Sequence, residues 1–229
     1  MAETPAKRSG RGRFISFEGG EGSGKSTQIK RLAERLDAAK LRVIVTREPG
    51  GSPGAEIIRH LVLSGMGKLL GPDAETLLFA AARDDHVRTV IQPALAQGTW
   101  VLCDRFSDST RVYQGRLGHV APAVLNAMQR VTIGDLKPDL TIILDVPAEV
   151  GLKRAAARRG AAAPDRFEAE DVKFHQELRE AYREIAAAEP ERCVLIDASA
   201  DTGTVAADVW AALRDRLLAN TAASEASPA

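Results

Sequence analysis

Five short apolar runs, at residues 14–17, 43–46, 100–103, 140–144 and 194–196, constrain the fold more than any other feature of the chain. Each is hydrophobic almost continuously rather than at alternate positions, which is the pattern of strands covered on both faces of a parallel sheet. Helical stretches separate them. Over 26–39, Ile29, Leu32 and Leu36 fall on one stripe. Over 74–97, Leu77, Leu78, Ala81, Val87, Val90 and Ile91 fall on another, with Pro93 expected to bend or fray the end of that helix. Further helices are expected at 121–132, 148–158, 169–188 and 205–218. Strand alternating with helix predicts an α/β fold, a doubly wound five-stranded parallel sheet flanked by helices. A chain of 229 residues fits one such domain, over 13–220, with loose tails at 1–12 and 221–229.

Lys plus Arg and Asp plus Glu balance at 31 each. With neither a basic nor an acidic field to drive association, the chain is not expected to coat nucleic acid or a membrane surface, although a local anion site remains open. No apolar stretch approaches the roughly 20 residues that span a bilayer. The start, with Lys7, Arg8, Arg11 and Arg13, lacks the apolar segment of a secretory signal, so a cytoplasmic protein is expected. Cys103 and Cys193 lie far apart in apolar runs and read as buried free thiols rather than a disulfide or zinc site. His60, His86, His119 and His175 show no metal-ligand spacing.

The chemistry begins at Gly19-Gly20-Glu21-Gly22-Ser23-Gly24-Lys25-Ser26, a GxxxxGKS phosphate loop between the first apolar run and an amphipathic helix. Glycines let backbone N–H groups converge on phosphate oxygens, and the helix N-terminus adds a favourable dipole. Lys25 supplies charge to the β- and γ-phosphates, and the Ser26 hydroxyl is suited to Mg²⁺. Two more strands end in polar groups. Thr46-Arg47-Glu48-Pro49-Gly50-Gly51 follows the second and Asp104-Arg105-Phe106 the third. Taken singly, the first is a turn with a surface arginine and the second a solvated ion pair. Ligands of open α/β sheets bind outside the carboxyl ends of strands, however, and three such ends converge here. Residues 155–164 are alanine-rich and compatible with a helix end or a mobile flap. Arg154, Arg158 and Arg159, then Asp165-Arg166-Phe167-Glu168, read as a solvated charged face or as a closing lid whose arginines meet developing negative charge.

Taken together, FEGGEGSGKST (17–27), TREPGG (46–51), FAAARDDH (79–86), DRF (104–106) with a following YQG (113–115), PDLTIILDV (138–146) and DRFE (165–168) resemble the bacterial thymidylate kinase family, in order from about Gly12 to Ala219. The resemblance implies ATP and Mg²⁺ as cofactors, dTMP as acceptor and a homodimer packed through helices. Gly19, Gly20, Glu21, Gly22, Ser23, Gly24, Lys25, Ser26 and Thr27 would hold ATP, with Ser26 and Asp104 at the metal. Arg105 and Arg47 would grip the dTMP phosphate, with Glu21 facing it across the site. Phe79 would stack on thymine, Arg83 would meet its carbonyl edge, Thr110 and Gln114 would reach the base, and Tyr113 would crowd the ribose 2′ position. The lid, about 153–168, would carry Arg154, Arg158, Arg159 and Arg166. The chain departs from the family where Phe106 replaces a frequent Tyr and where Thr110 replaces an Asn. Its phosphate loop has Glu21 and no arginine, which resembles members whose catalytic arginine sits in the lid, here Arg158 or Arg159.

Two other readings keep the same phosphate loop. A different nucleoside monophosphate kinase would differ only in the pocket around Phe79, Arg83 and Tyr113. A switch or motor ATPase would hydrolyse ATP without an acceptor and use Asp145 as a metal carboxylate.

Overall fold

The computed structural model of the protein describes residues 11–218, apart from Ala162 and Asp165. The expectations for residues 1–10 and 219–229, and any role for Asp165, lie outside the described residues. Gly12, which the sequence reading put in the tail, is buried, and its N–H donates to Leu95 O at 2.8 Å.

The strands are β1 (Phe14–Glu18), β2 (Val43–Arg47), β3 (Trp100–Asp104), β4 (Leu140–Asp145) and β5 (Cys193–Asp197). They form one parallel sheet in the order β2-β3-β1-β4-β5. Because the chain winds to one side of β1 for β2 and β3 and to the other for β4 and β5, the crevice between the two windings opens above the end of β1, where ligands of such sheets bind. β1, β3 and β4 are buried almost throughout. β2 and β5 are sheet edges, and Val45 and Leu195 on them are partly exposed although their runs read as fully covered.

Three hydrophobic clusters flank the sheet, one of them joining Ile143 and Cys193 to Leu178 and Tyr182 of a later helix. On one face α1 (Lys25–Ala38) buries Ile29, Leu32 and Leu36, the expected stripe, against Phe17, Leu102, Leu140 and Leu144. The other face gathers Phe14, Val101, Cys103 and Phe106 with Val87, Ile91 and Leu95. Both cysteines are free and buried.

The sequence reading did not anticipate α2 (Pro53–Leu63). Pro-Gly-Gly punctuates the chain as a turn, yet Pro53 then occupies the first helical position, where its missing N–H costs nothing. A 3₁₀ turn (Met66–Leu70) leads to α3 (Pro72–His86), a π turn (Val87–Ile91) and α4 (Gln92–Ala96). This is the single expected helix of 74–97, and the π turn, with Gln92 N–H reaching Val87 O, lies where Pro93 was expected to disturb it. The stripe assigned to its first half is corrected. Leu77 and Ala81 are exposed, and the inward face carries Glu75, Thr76, Phe79, Arg83 and His86. Phe79 and Arg83 of that face border a cavity and the rest of it is largely polar, so apolar periodicity could not mark it.

Residues 107–117, also unanticipated, form α5 (Ser107–Thr110) and a π-helical segment (Arg111–Leu117). The remaining helices are α6 (Pro122–Thr132), α7 (Ala148–Arg159), α8 (Val172–Ala188) and α9 (Thr202–Leu213), the last running into a π turn (Arg214–Leu218). Asp171 and Asp201 cap α8 and α9 by accepting backbone N–H groups of their first turns. Among the described residues no helix is long and apolar enough to cross a membrane.

Candidate active site

The loop joining β1 to α1 can hold its shape only with glycine at its tightest points. A Cβ at Gly22, whose φ is 66°, would run into the Gly151 carbonyl of α7, and one at Gly19 would run into the Leu144 carbonyl of β4. The loop is thus clamped between the end of β4 and the first turns of α7. Lys25 opens α1 and folds back over the loop, donating from Nζ to Gly19 O and Gly20 O, each at 3.0 Å. Burial, with Arg105 nearby, lowers its pKa. Ser26 donates from Oγ to Asp104 Oδ2 at 3.0 Å, so the two residues expected at the metal, from α1 and the end of β3, stand side by side. A hydroxyl and a carboxylate are the hard oxygen donors that Mg²⁺ prefers. Ser23 Oγ, in the same loop, is buried and has no protein partner.

The loop opens into a cavity of about 350 Å³. Of the expected site residues, Glu21 to Thr27, Arg47, Phe79, Arg83, Asp104, Arg105, Thr110, Tyr113, Gln114 and Arg158 line it, whereas Gly19, Gly20 and Arg159 do not. Arg105 is held most tightly. It turns the chain with a left-handed φ of 72°. Its Nη2 donates to Glu21 Oε1 at 2.6 Å, and its Nη1 donates to Gly19 O and Tyr182 OH, each at 3.2 Å. Burial opposes the charge of Glu21, but Arg105 and Lys25 outweigh it and hold this carboxylate below its usual range. Tyr113 lies under the Arg105 guanidinium, 5.1 Å from ring centroid to carbon, and burial raises its pKa.

Arg83 reaches the cavity from α3 and is fixed on three sides. It donates to Glu48 Oε2 at 2.6 Å, Thr110 Oγ1 at 2.9 Å and Phe106 O at 3.2 Å. Glu48 follows β2, and its other oxygen meets His86 Nδ1 at 3.0 Å, while His86 Nε2 lies 2.6 Å from Thr46 Oγ1. One buried carboxylate therefore ties the second strand end to the helix carrying Phe79 and Arg83. Arg47 sits at the more exposed margin and pairs with Glu56 at 2.9 Å.

On the lid side, Arg158 and Arg159 end α7 and share Glu168, at 3.2 and 2.7 Å. Arg166 crosses to Glu75 of α3 at 2.6 Å, in largely buried surroundings. Arg154, one turn before Arg158, donates to the Ala198 and Ser199 carbonyls at 2.8 and 3.3 Å. Asp145 is engaged by Arg179 at 2.6 Å and by Arg183 at 3.4 Å, which occupies the carboxylate a switch or motor ATPase would need.

Several contributors carried no signal of their own. The buried Glu18, Glu48, His86 and Tyr182, with the partly buried Ser109, brace Arg83 and Arg105, and Glu168 joins the lid arginines. A carboxylate at the end of an otherwise apolar strand, as at Glu18, was the one clue available in the sequence.

A phosphate loop that shares its cavity with Arg83 and Arg105, on this strand order, is the arrangement of a phosphate-loop kinase fold. The thymidylate kinase family model matches residues 17–209, and the chain belongs to that family. The thymidylate kinase of Nitrobacter winogradskyi is 78% identical over 226 residues, covering 99% of this chain and 98% of that one. That of Bradyrhizobium diazoefficiens is 76% identical over 219 residues, covering 95% and 96%. A crystal structure of thymidylate kinase from Ehrlichia chaffeensis superposes with a TM-score of 0.71 at 33% identity, covering 89% of this chain and 99% of that one.

Proposed function

We infer that the chain transfers the γ-phosphoryl group of ATP to dTMP, giving dTDP and ADP. The observation that carries the reading is a single cavity lined both by the phosphate-loop residues Lys25 and Ser26 and by Phe79, Arg83, Arg105 and Tyr113. Catalysis of this kind consists of holding two anionic groups in line and offsetting their charge, with no covalent enzyme intermediate.

In this reading the backbone from Gly19 to Thr27 wraps the ATP phosphates, and Lys25 leaves the Gly19 and Gly20 carbonyls to meet the β- and γ-phosphates. Ser26 and Asp104 would hold Mg²⁺, which when bound offsets phosphate charge. Arg105 grips the acceptor phosphate, with Arg47 helping from the margin, and Glu21 keeps the Arg105 fork aimed across the site. Phe79 stacks on thymine while Arg83, already fixed by Glu48, presents its remaining donors to a base carbonyl. Thr110 and Gln114 border the base, and Tyr113 fills the space a ribose 2′-hydroxyl would need. Arg158, freed from Glu168, neutralises charge on the transferring group. The chain works in the cytoplasm as a homodimer. Ile57, Leu77 and Val131 are exposed on α2, α3 and α6, which pack in succession and offer an apolar face to a second copy.

ADP release from ATP–Mg²⁺ with no acceptor, dTMP, dUMP, its ribo analogue, AMP, GMP and CMP tests the reading. A strong response to dTMP, a weaker one to dUMP and almost none without acceptor is expected. A best response to a purine or cytidine monophosphate overturns the base assignment, and steady release without acceptor overturns the transfer.

A further inference from the structure

Glu18, the last residue of β1, is wholly buried, and the transfer chemistry above gives it no task. Its Oε1 accepts the Phe106 N–H at 2.8 Å, pinning the backbone just after the left-handed turn at Arg105. Its Oε2 lies 2.7 Å from Ser109 Oγ and 3.0 Å from Tyr182 OH, and those two hydroxyls are 2.8 Å apart. Three oxygens therefore close a triangle. Each side needs one proton, and the two hydroxyls supply two. The third is present only if the Glu18 carboxyl is protonated, and then every oxygen in the ring donates once and accepts once. Lone pairs left over on the hydroxyls face Arg105, whose Nη1 donates to Tyr182 OH at 3.2 Å and to Ser109 Oγ at 3.4 Å.

The surroundings favour the neutral acid. Burial, then the charge of Asp108 on α5, raises Glu18 to about 7, against the pull of Ser109, Arg105 and the Phe106 N–H. The other ionisable groups facing it are Lys25 of α1, Cys103 of β3, Tyr113 of the π-helical segment and Tyr182 of α8, while β4 pairs Ile143 with it.

We propose that Glu18 is a positioning residue that works as a neutral acid: its proton completes a ring with Ser109 and Tyr182, and the ring aims the Arg105 guanidinium at the acceptor phosphate. The proposal rests on the phosphate-gripping role given to Arg105 above. Loss of the proton leaves three contacts with two protons and turns the carboxyl into an anion that draws Arg105 back from the cavity. Acceptor binding weakens, and ATP binding does not.

Steady-state kinetics from pH 6 to 8.5 on wild type, Glu18→Gln and Tyr182→Phe test this. Glutamine keeps the shape and an N–H donor but cannot ionise. The ratio of kcat/KM for dTMP, Glu18→Gln over wild type, cancels the ionisation of the dTMP phosphate itself. That ratio is expected to rise about 10-fold across the range, with KM for ATP equal within about twofold throughout. Tyr182→Phe opens the ring without charge and is expected to raise KM for dTMP several-fold at pH 6, again sparing ATP. A flat ratio, or losses shared equally between the two substrates, overturns the proposal. A wild type that does not respond to dTMP overturns the kinase reading instead.

Discussion

Arg83 illustrates what burial does to a single side chain. Its Nε, Nη1 and Nη2 all have partners within the protein, and the Glu48 side of that set is almost fully buried. A base carbonyl entering the cavity meets a donor whose direction is already set, so little side-chain entropy remains to be lost on binding. Removing it leaves a buried carbonyl without a donor, which costs about 1–3 kcal/mol, or roughly 5- to 150-fold in binding. Arg83→Ala is expected to raise KM for dTMP about 5- to 150-fold and to leave KM for ATP within about twofold. Comparable changes in both constants would show that Arg83 shapes the whole site rather than the base pocket. Lys25, Ser26 and Arg83 were legible because a strand-glycine-helix string and an ordered set of family motifs single them out. Glu48 and Glu18 were not, since what makes them consequential is burial, and a carboxylate at a strand end reads the same whether it is dry or solvated.

Elements differ in legibility for a related reason. β1, β3 and β4 stood out because a strand covered on both faces is apolar at nearly every position. α1 stood out because one of its faces is core and the other is solvent. α3 mixes polar and apolar groups on both faces, turning Phe79 and Arg83 to the cavity and leaving Leu77 in solvent, which misled the reading of its stripe. α2 and the 107–117 segment begin at turn-like residues; α2 does carry Ile58, Leu61 and Val62 at helical spacing, but it follows Pro-Gly-Gly, which reads as a turn and hid the helix behind it. At the far end of α7 the sequence left Arg158 and Arg159 as equals, and geometry separates them. Arg158 lines the cavity from an exposed position, whereas Arg159 lies outside it, more deeply packed against Glu168. An arginine acting at a phosphoryl-transfer transition state is worth about 10³–10⁵ in rate. Arg158→Ala is expected to lower kcat by about 10³ or more with little change in KM for dTMP, and Arg159→Ala by less than about 10-fold. Single-turnover rates for the two variants check the assignment, and near-normal kcat in Arg158→Ala would refute it.

On the scale of the whole molecule, three of the large apolar side chains left in solvent belong to helices packed in a row: Ile57 is 74% exposed on α2, Leu77 55% on α3 and Val131 83% on α6. Sedimentation velocity on Leu77→Asp is expected to show a shift from dimer to monomer with thermal unfolding still cooperative. A wild type that already sediments as a monomer would remove the homodimer from the functional picture. The close approach of Gly22 to Gly151 has a mechanical consequence of its own. Gly151 stands near the start of α7 and Arg158 near its end, seven residues on. At 1.5 Å of rise per residue that places the arginine's backbone about 10 Å from a contact where two bare peptide groups press together. The contact is a fulcrum and the helix a lever arm. A tilt of about 6° at the fulcrum moves the far end by about 1 Å, the distance that separates a slack guanidinium from an effective one. If Arg158 serves the transfer as proposed, any shift of the loop at Gly22 would reach it through this one helix, and no separate signal would have to travel between them.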